Sequence, residues 1–370
     1  MSTTAPGTPS WLRERNDRTA LTALFENGPL TRNRLGELTG MSKPTAAQMV
    51  ARLEQAGLIE PVGEVSGGRG PNAVSYGVRT DRARGVAIDI REHVIAATVV
   101  DALDADHPIV EVEVQDAART PEGDVRLAID AACNAAGIDP KTVELVLVGV
   151  QAAISADGDQ LSFTDTLPGW PELGARHRIA DALGIAVELD NDVNLAAVAE
   201  RASGAAQGAD DFALLWMSDG LGVAVDLGGV VHRGAAGGAG EIGYLPPPAS
   251  AAHLDPDAED LTDLVGRGAF ERLGGIRALD VYAERVALVV APVLAVLDPE
   301  LVVLGGPIGI AGGERLAELV AAHLANTSRW TPEVRPTGIE SQPVIGGARR
   351  MLVHRIREHL AHGISSLSTP

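Results

Sequence analysis

Two distant stretches of the chain share one design: GVAIDI-REH-VIAATVVD at 85–101 and FALLWM-SDG-LGVAVDL at 212–227. Each is a pair of small, β-branched apolar runs around a polar three-residue turn, Arg91-Glu92-His93 in the first and Ser218-Asp219-Gly220 in the second. Short apolar runs bounded by turn signals read as strands buried on both faces. After each pair, strands and helices alternate. The first is followed by a helix near 121–136, a buried strand at 144–150, a helix near 172–183, the short strand AVELD and a helix opening around 191. The second leads to the strand ELVVLGG and a helix at 313–325.

A hairpin heading two alternating α/β segments leaves few folds open. It predicts an α/β body of two lobes with a cleft between them, an actin-like or ribonuclease-H-like duplication. Composition agrees: hydrophobic residues make up 45% but aromatics only 3%, so the cores must be built from Ala, Val, Leu and Ile. The single cysteine, Cys133, excludes an intrachain disulfide and a cysteine metal cluster. It is expected as a small core residue in a reducing compartment. The longest apolar run, VALVVAPVLAVL at 286–297, is far short of the ~20 residues of a membrane span. The start, MSTTAPGTPS, lacks the basic-then-apolar order of a signal peptide and reads as a disordered lead over 1–11, so a cytoplasmic location is expected.

Charge divides the chain. Net charge is −20, yet residues 1–79 hold nine Lys/Arg against seven Asp/Glu, so the remainder is strongly acidic. Such a body repels nucleic acid, and any DNA contact must lie in the N-terminal part. The boundary is expected near residue 80, giving a unit at 12–80 and a body at 81–370.

Within 12–80 three short helical patterns have sharp stops. Ala20, Leu21, Leu24 and Phe25 form one apolar face, ended by Gly28-Pro29; a second helix follows Thr31 with Leu35 and Leu38 inward, ended by Gly40. Ser42 caps a third, in which Ala46, Val50 and Leu53 face inward while Pro44, Thr45, Gln48 and Arg52 face out. Two strands around the Gly-rich loop SGGRGPNA follow, which makes the unit a winged helix-turn-helix. On its third helix, Gln48 suits an adenine edge, Thr45 a thymine methyl, and Lys43 or Arg52 the phosphates, while Arg69 in the wing suits a narrow minor groove. The partner this implies is a double-stranded DNA operator. A solvated polar helix face is the alternative for the three helices taken without the wing.

Four motifs then carry a resemblance: LPGW at 167–170, LDNDVNLAAVAE at 189–200, HRGAAGGAGEIGYLP at 232–246 and LDPELVVLGG at 297–306. In this order behind a winged helix, the chain resembles the ROK family (repressors, open reading frames, kinases), in the branch that joins a winged helix to a sugar-kinase-like body. The resemblance covers roughly residues 12 to 360. It implies that Asn191 and Asp192 match the pair whose Asp takes the proton of the attacking sugar hydroxyl in the kinases, and that Glu241 matches a sugar-binding residue. Without the resemblance, the same Asn and Asp fit a helix N-cap and its first turn.

Departures from the family pattern bear on activity. The family's first phosphate loop, Asp-x-Gly-Gly-Thr, is here Asp89-Ile90-Arg91-Glu92-His93, and Gly-Thr-Gly of the second is Ser218-Asp219-Gly220. Long side chains and added carboxylates oppose phosphate binding. Thr166 stands for the family's Asn before LPGW, and Tyr244 for its His; no cysteine follows to hold the family's zinc.

The expectation is a DNA-binding transcriptional regulator, a repressor, without catalytic residues, metal or cofactor. Its body binds a sugar or sugar derivative through Thr166, Asn191, Asp192, Glu241 and Tyr244, and the chain acts as a homodimer or tetramer. The alternatives are an active sugar kinase with a DNA-binding appendage, and a regulator controlled by a protein partner.

Overall fold

The structure, a computed structural model, describes residues 8–66, 72–115 and 119–366. The Thr8 hydroxyl accepts the Trp11 amide at 3.2 Å and starts helix α1 (Pro9–Asn27), which therefore begins inside the stretch expected as a disordered lead. After Gly28 come β1 (Leu30–Thr31) and α2 (Arg32–Thr39), capped by Thr31 and ended by Gly40 in the left-handed region. Helix α3 (Lys43–Gln55) follows its Ser42 cap, and β2 (Ile59–Val65) and β3 (Ala73–Val78) form the wing, with β1 as third strand in the order β1-β3-β2. The wing tip with Arg69 lies outside the described residues.

Leu21, Leu24, Leu35, Met49 and Leu53 make the core of this unit. Leu38, expected inward, is 41% exposed: eight residues of α2 turn only one narrow stripe, at Leu35, toward the core. The same core continues without a break into the body, through Leu352, Val353, Ile356 and Leu360. Those four lie on the last helix, α11 (Pro343–Ser366), whose Arg357 also stacks over Phe25 and donates to the Ala102 carbonyl at 2.8 Å.

The first lobe runs β4 (Arg84–Ile90), β5 (Val94–Val100), β6 (Val110–Glu113), α4 (Pro121–Ala136), β7 (Val143–Val150), the small pair β8 (Ala153–Ile154) and β9 (Leu161–Ser162), α5 (Ala175–Leu183) and β10 (Ala186–Asn191). Its sheet has the order β10-β7-β4-β5-β6. Cys133 sits buried in α4. Helix α5 starts later than expected because the Glu172 carbonyl accepts the Leu161 amide and the Gly174 amide donates to Asp159, which ties that stretch to the β8–β9 hairpin.

Helix α6 (Asp192–Ser203) crosses to the second lobe: β11 (Asp211–Met217), β12 (Leu221–Leu227), β13 (Val230–Val231), α7 (Leu261–Val265), α8 (Arg267–Leu273), α9 (Leu279–Leu297), β14 (Leu301–Gly305), α10 (Gly306–Thr327) and β15 (Glu333–Pro336). Its sheet, β13-β12-β11-β14-β15, repeats the first strand for strand, antiparallel in the leading hairpin and parallel beyond it. The expected duplication is present. The helix expected at 313–325 starts at Gly306 instead, with a break in helical geometry at Gly313.

Helices α6 and α11 pack together between the sheets. Val193, Ala196 and Ala197 of α6 lie on the second sheet, against Phe212 and Leu214, while Leu195 joins the core of α11. Contact with α11 is backbone-close: a Cβ on Gly347 would stand 1.9 Å from the Leu195 carbonyl oxygen. At the far end of α6 the buried Glu200 accepts from the Ala205 amide at 2.7 Å, the Gly338 amide at 3.2 Å and the Thr337 hydroxyl. A buried carboxylate so supplied with donors is stable there, and it fixes α6 to the segment entering α11.

Candidate functional site

The outer face of α3 carries Lys43, Pro44 and Gln48 exposed, with Thr45 half-buried. Thr45 is partly used by its own helix, since its hydroxyl lies 2.9 Å from that of the Ser42 cap. Arg52 departs from the expected free face. Its guanidinium forks onto Asp17 of α1, Nε to Oδ2 at 3.0 Å and Nη2 to Oδ1 at 2.6 Å. Asp17 is only 4% exposed, and burial pushes its carboxyl up against the pull of Arg52 and Arg13. Arg52 thus holds α3 on α1, and its bidentate fork is not turned toward a phosphate.

In the body, strand ends bring carboxylates to one place. Asp89 lies one residue before the end of β4, Asp192 opens α6 after β10, and Glu241 lies in the 234–244 segment. That segment threads between the lobes. Gly237 (φ +80°) passes so close to β8 that a Cβ would overlap the Ile154 carbonyl, and Gly240 (φ +89°) does the same against Val223 of β12.

Asp89 and Asp192 are 5% and 8% exposed. Burial, chiefly, lifts Asp89 to about 6, with Arg91 pulling it down and Glu111 pushing it up. Burial and the charge of Asp89 lift Asp192 to about 7, with Glu241 adding to the rise. Desolvation also raises Glu241. Oδ1 of Asp89 is buried without a hydrogen-bond partner among the described residues, while Oδ1 of Asp192 accepts the Val193 amide at 2.9 Å.

Asn191 stands beside these acids as the cap of α6: its Oδ1 accepts the Asn194 amide at 3.0 Å and its Nδ2 donates to the Ala152 carbonyl at 3.2 Å. Tyr244 stacks on Phe163 with ring centroids 4.7 Å apart, and its hydroxyl donates to Asp165 at 3.4 Å. This contact draws the 163–170 segment, with half-buried Thr166, toward the 234–244 segment.

Two arginines that the sequence did not single out, Arg119 and Arg233, organise the surroundings together with Arg91. Arg119, buried against Asp124, donates to the carbonyls of Arg91 and Glu92 and so closes the first hairpin tip; Trp170 of LPGW donates its indole N–H to the same Asp124 at 2.8 Å. Arg91 then lies over Asp89 (3.3 Å) and Glu111 (2.8 Å). Arg233 forks onto buried Asp190, joining the HRG stretch to β10.

Arg285, 4% exposed, donates to Asp255 at 2.9 Å and to the carbonyls of Leu264 and Leu254, holding the segment in which the family resemblance implies zinc. The second tip is held by Arg267, which pairs with Asp219 at 2.6 Å. Among the described residues, no three His, Cys, Asp or Glu side chains converge as metal ligands.

Residues 85–262 match the ROK family, and residues 13–60 match a winged helix-turn-helix DNA-binding domain. The chain carries a ROK family domain behind a winged helix-turn-helix. Among curated relatives, the xylose repressor of Bacillus subtilis (strain 168) is 24% identical over 240 residues, 64% of this chain and 61% of the repressor. The bifunctional enzyme NanE/NanK of Brucella suis biovar 1 is 32% identical over 180 residues, 44% of this chain and 34% of the enzyme. The chain thus spans under two thirds of the length of these relatives. A solved ROK family transcriptional regulator, a homologue of the E. coli MLC protein, superposes with a TM-score of 0.67 at 16% identity, covering 96% of this chain and 98% of the other. The ROK glucokinase of Streptomyces griseus, solved with glucose and AMPPNP, gives 0.54 at 21% identity over 72% of this chain and 98% of that one. The expected winged helix and two-lobed sugar-kinase fold are both present. No described helix is long and apolar enough to cross a membrane.

Proposed function

We propose that the chain is a DNA-binding transcriptional repressor whose kinase-like body binds a sugar or sugar derivative and does not phosphorylate it. One observation carries this reading: the winged helix shares a continuous core with α11, which in turn packs on α6, the helix that starts in the acidic cleft. A ligand that favours one closure of the lobes then has a packed route to α1 and to the exposed face of α3. In a homodimer or tetramer this would alter the spacing of two winged helices over a two-fold operator.

The closed hairpin tip supports the absence of phosphoryl transfer. Arg91 covers Asp89, and the long side chains of Arg91 and Glu92, the second a half-exposed carboxylate, stand where the family pattern has glycines that let a phosphate approach the backbone. The reading includes a cytoplasmic location and no cofactor. The xylose in the name of the xylose repressors and the glucose bound in the solved glucokinase of Streptomyces griseus are first candidates for its effector.

Operator fragments selected from the source genome, titrated by fluorescence anisotropy with and without a sugar panel, test the proposal. Sugar-dependent affinity is expected, and sugar-independent binding refutes the effector role. The competing reading, an active kinase, draws on Asp192, a carboxyl held near 7 where a general base works best. It predicts ADP release from ATP and a sugar that is abolished in Asp192→Asn. We expect none.

A further inference from the structure

We propose that α11 carries a second ligand site, separate from the acidic cleft, which takes a small phosphomonoester at the joint between the body and the winged helix. This site does not depend on the reading of the cleft as a carbohydrate site.

Charge and shape point to the same place. The net charge of the chain is −20, yet residues 343–366 hold four arginines and three histidines against one glutamate. At about 100° per residue Arg350, His354 and Arg357 fall on one stripe of α11, beside the buried stripe of Leu352, Ile356 and Leu360 that joins the core of the winged helix. A cavity of about 370 Å³ opens along this stripe, lined among the described residues by Arg350, Met351, Val353, His354, Arg355 and Arg357. That volume suits a small metabolite, and the cations on its wall select an anion.

Two of the lining arginines have no carboxylate of their own. Arg355 pairs with Glu188 at 2.9 Å and His354 with Glu358 at 3.2 Å. Arg350 is exposed and has no hydrogen-bond or ion-pair partner among the described residues. Arg357 gives its Nε to the Ala102 carbonyl at 2.8 Å and its face to Phe25, which leaves both terminal nitrogens without a partner among the described residues. Burial chiefly, and the charge of Arg350, hold Arg357 below its ordinary value against the more distant pull of Asp104, Glu26 and Asp101. Seven residues separate the two arginines, about 10 Å of helix, so two long side chains can close their forks on one group between them. A phosphomonoester matches them, with nearly two negative charges and three terminal oxygens, whereas a carboxylate brings one charge and two oxygens. Met351 and Val353 then face its organic part. Because Arg357 also ties the body at Ala102 to Phe25 of α1, an anion held there acts on the seat of the winged helix.

The test is calorimetric titration of the full chain at about pH 7.5 with D-glucose 6-phosphate, D-ribose 5-phosphate and glycerol 3-phosphate, with inorganic sulfate and D-glucose as controls. At least one phosphomonoester is expected to bind saturably, about tenfold or more tightly than sulfate, and excess D-glucose should not displace it. Arg350→Ala should weaken that binding about tenfold or more, and Arg350→Lys should recover only part of it, because an ammonium lacks the fork. Arg350 is exposed, so both variants should fold, and an unchanged circular dichroism spectrum checks this. If every phosphomonoester binds no better than sulfate, the cavity holds an adventitious ion only and the proposal is wrong. It is equally wrong if D-glucose displaces the phosphomonoester or Arg350→Ala leaves binding unaltered, since the anion then sits elsewhere. If phosphomonoesters fail to bind while Arg350→Ala lowers the salt slope of operator binding by about one, the stripe serves the DNA backbone instead. Each of these failures leaves the sugar reading of the cleft standing.

Discussion

Replacing Asp192 by Asn should stabilise the protein, and by an amount that depends on pH. Asp192 is held at about 7 in the fold, against an ordinary carboxyl value of 3.8, and Asp89 at about 6. Each group is raised, so over the window from about pH 4 to 7 the folded chain retains protons that the unfolded chain has released. Stability from these groups is complete below pH 4 and is lost as pH rises through 6 and 7. A rise of about three units corresponds to a ceiling of ~4 kcal/mol for Asp192, at 1.36 kcal/mol per unit. Relaxation and entering water lower that, and the two acids titrate as a pair, so the shares do not add.

Asn keeps the oxygen that accepts the Val193 amide and removes the charge. At pH 8 the variant should therefore be more stable than wild type by ~1–4 kcal/mol, a rise in melting temperature of about 1–5 °C at roughly 1.3 °C per kcal/mol for a chain of 370 residues. At pH 5 the difference should shrink, because wild type then holds the proton itself. Thermal and urea melts at pH 5, 6.5 and 8 measure it. A variant no more stable than wild type at pH 8, or a gain that does not change between pH 5 and 8, would refute the view of Asp192 as a buried, charge-repelled carboxyl.

Three further outcomes check other parts of the structure. Arg52→Met should destabilise the winged helix by ~1–3 kcal/mol, since it strands the buried Asp17 carboxylate, and Asp17→Asn in the same chain should restore much of the loss. In salt titrations of operator binding Arg52→Met should leave the slope unchanged, whereas Lys43→Ala should reduce it by about one; a reduced slope for Arg52→Met would return it to the phosphate contacts. Gln48→Ala should cost ~1–3 kcal/mol of discrimination at one A·T pair of the operator, measured by base-substituted duplexes, and a uniform loss on all sequences would exclude a base contact. Gly169→Ala should lower the melting temperature sharply, because φ is +80° and the new Cβ would stand 2.2 Å from the Arg119 carbonyl oxygen; a neutral result would mean the LPGW turn is free to move.

Much of the fold could be read from sequence because buried strands announce themselves. The paired apolar runs at 85–101 and 212–227 became the leading hairpins of two sheets of the same strand order. Helix ends were equally legible where a side chain or a glycine sets them, as at Ser42 and Gly40. Legibility failed where the deciding contact comes from elsewhere in the chain. Residues 172–174 look helical, yet their backbone groups are taken by Leu161 and Asp159, and no local pattern encodes that.

The candidate site divides along the same line. Asp192, Asn191 and Glu241 were reached through motif matches, and local chemistry alone places Asn191 correctly as the cap of α6. Asp89 counted at first only as one letter of an altered loop; its importance comes from burial beside Asp192, which depends on β4 and β10 flanking β7 in one sheet. By sequence, Arg91 obstructs a phosphate by its bulk. The structure adds that Arg119, Asp124 and Trp170 hold the tip shut from behind, so the altered turn and the LPGW motif are parts of one network. Restoring glycines at Arg91 and Glu92 would still not by itself recreate the family's pair of phosphate loops, because Asp219, paired with Arg267, would remain at the second tip where the family pattern has Gly-Thr-Gly.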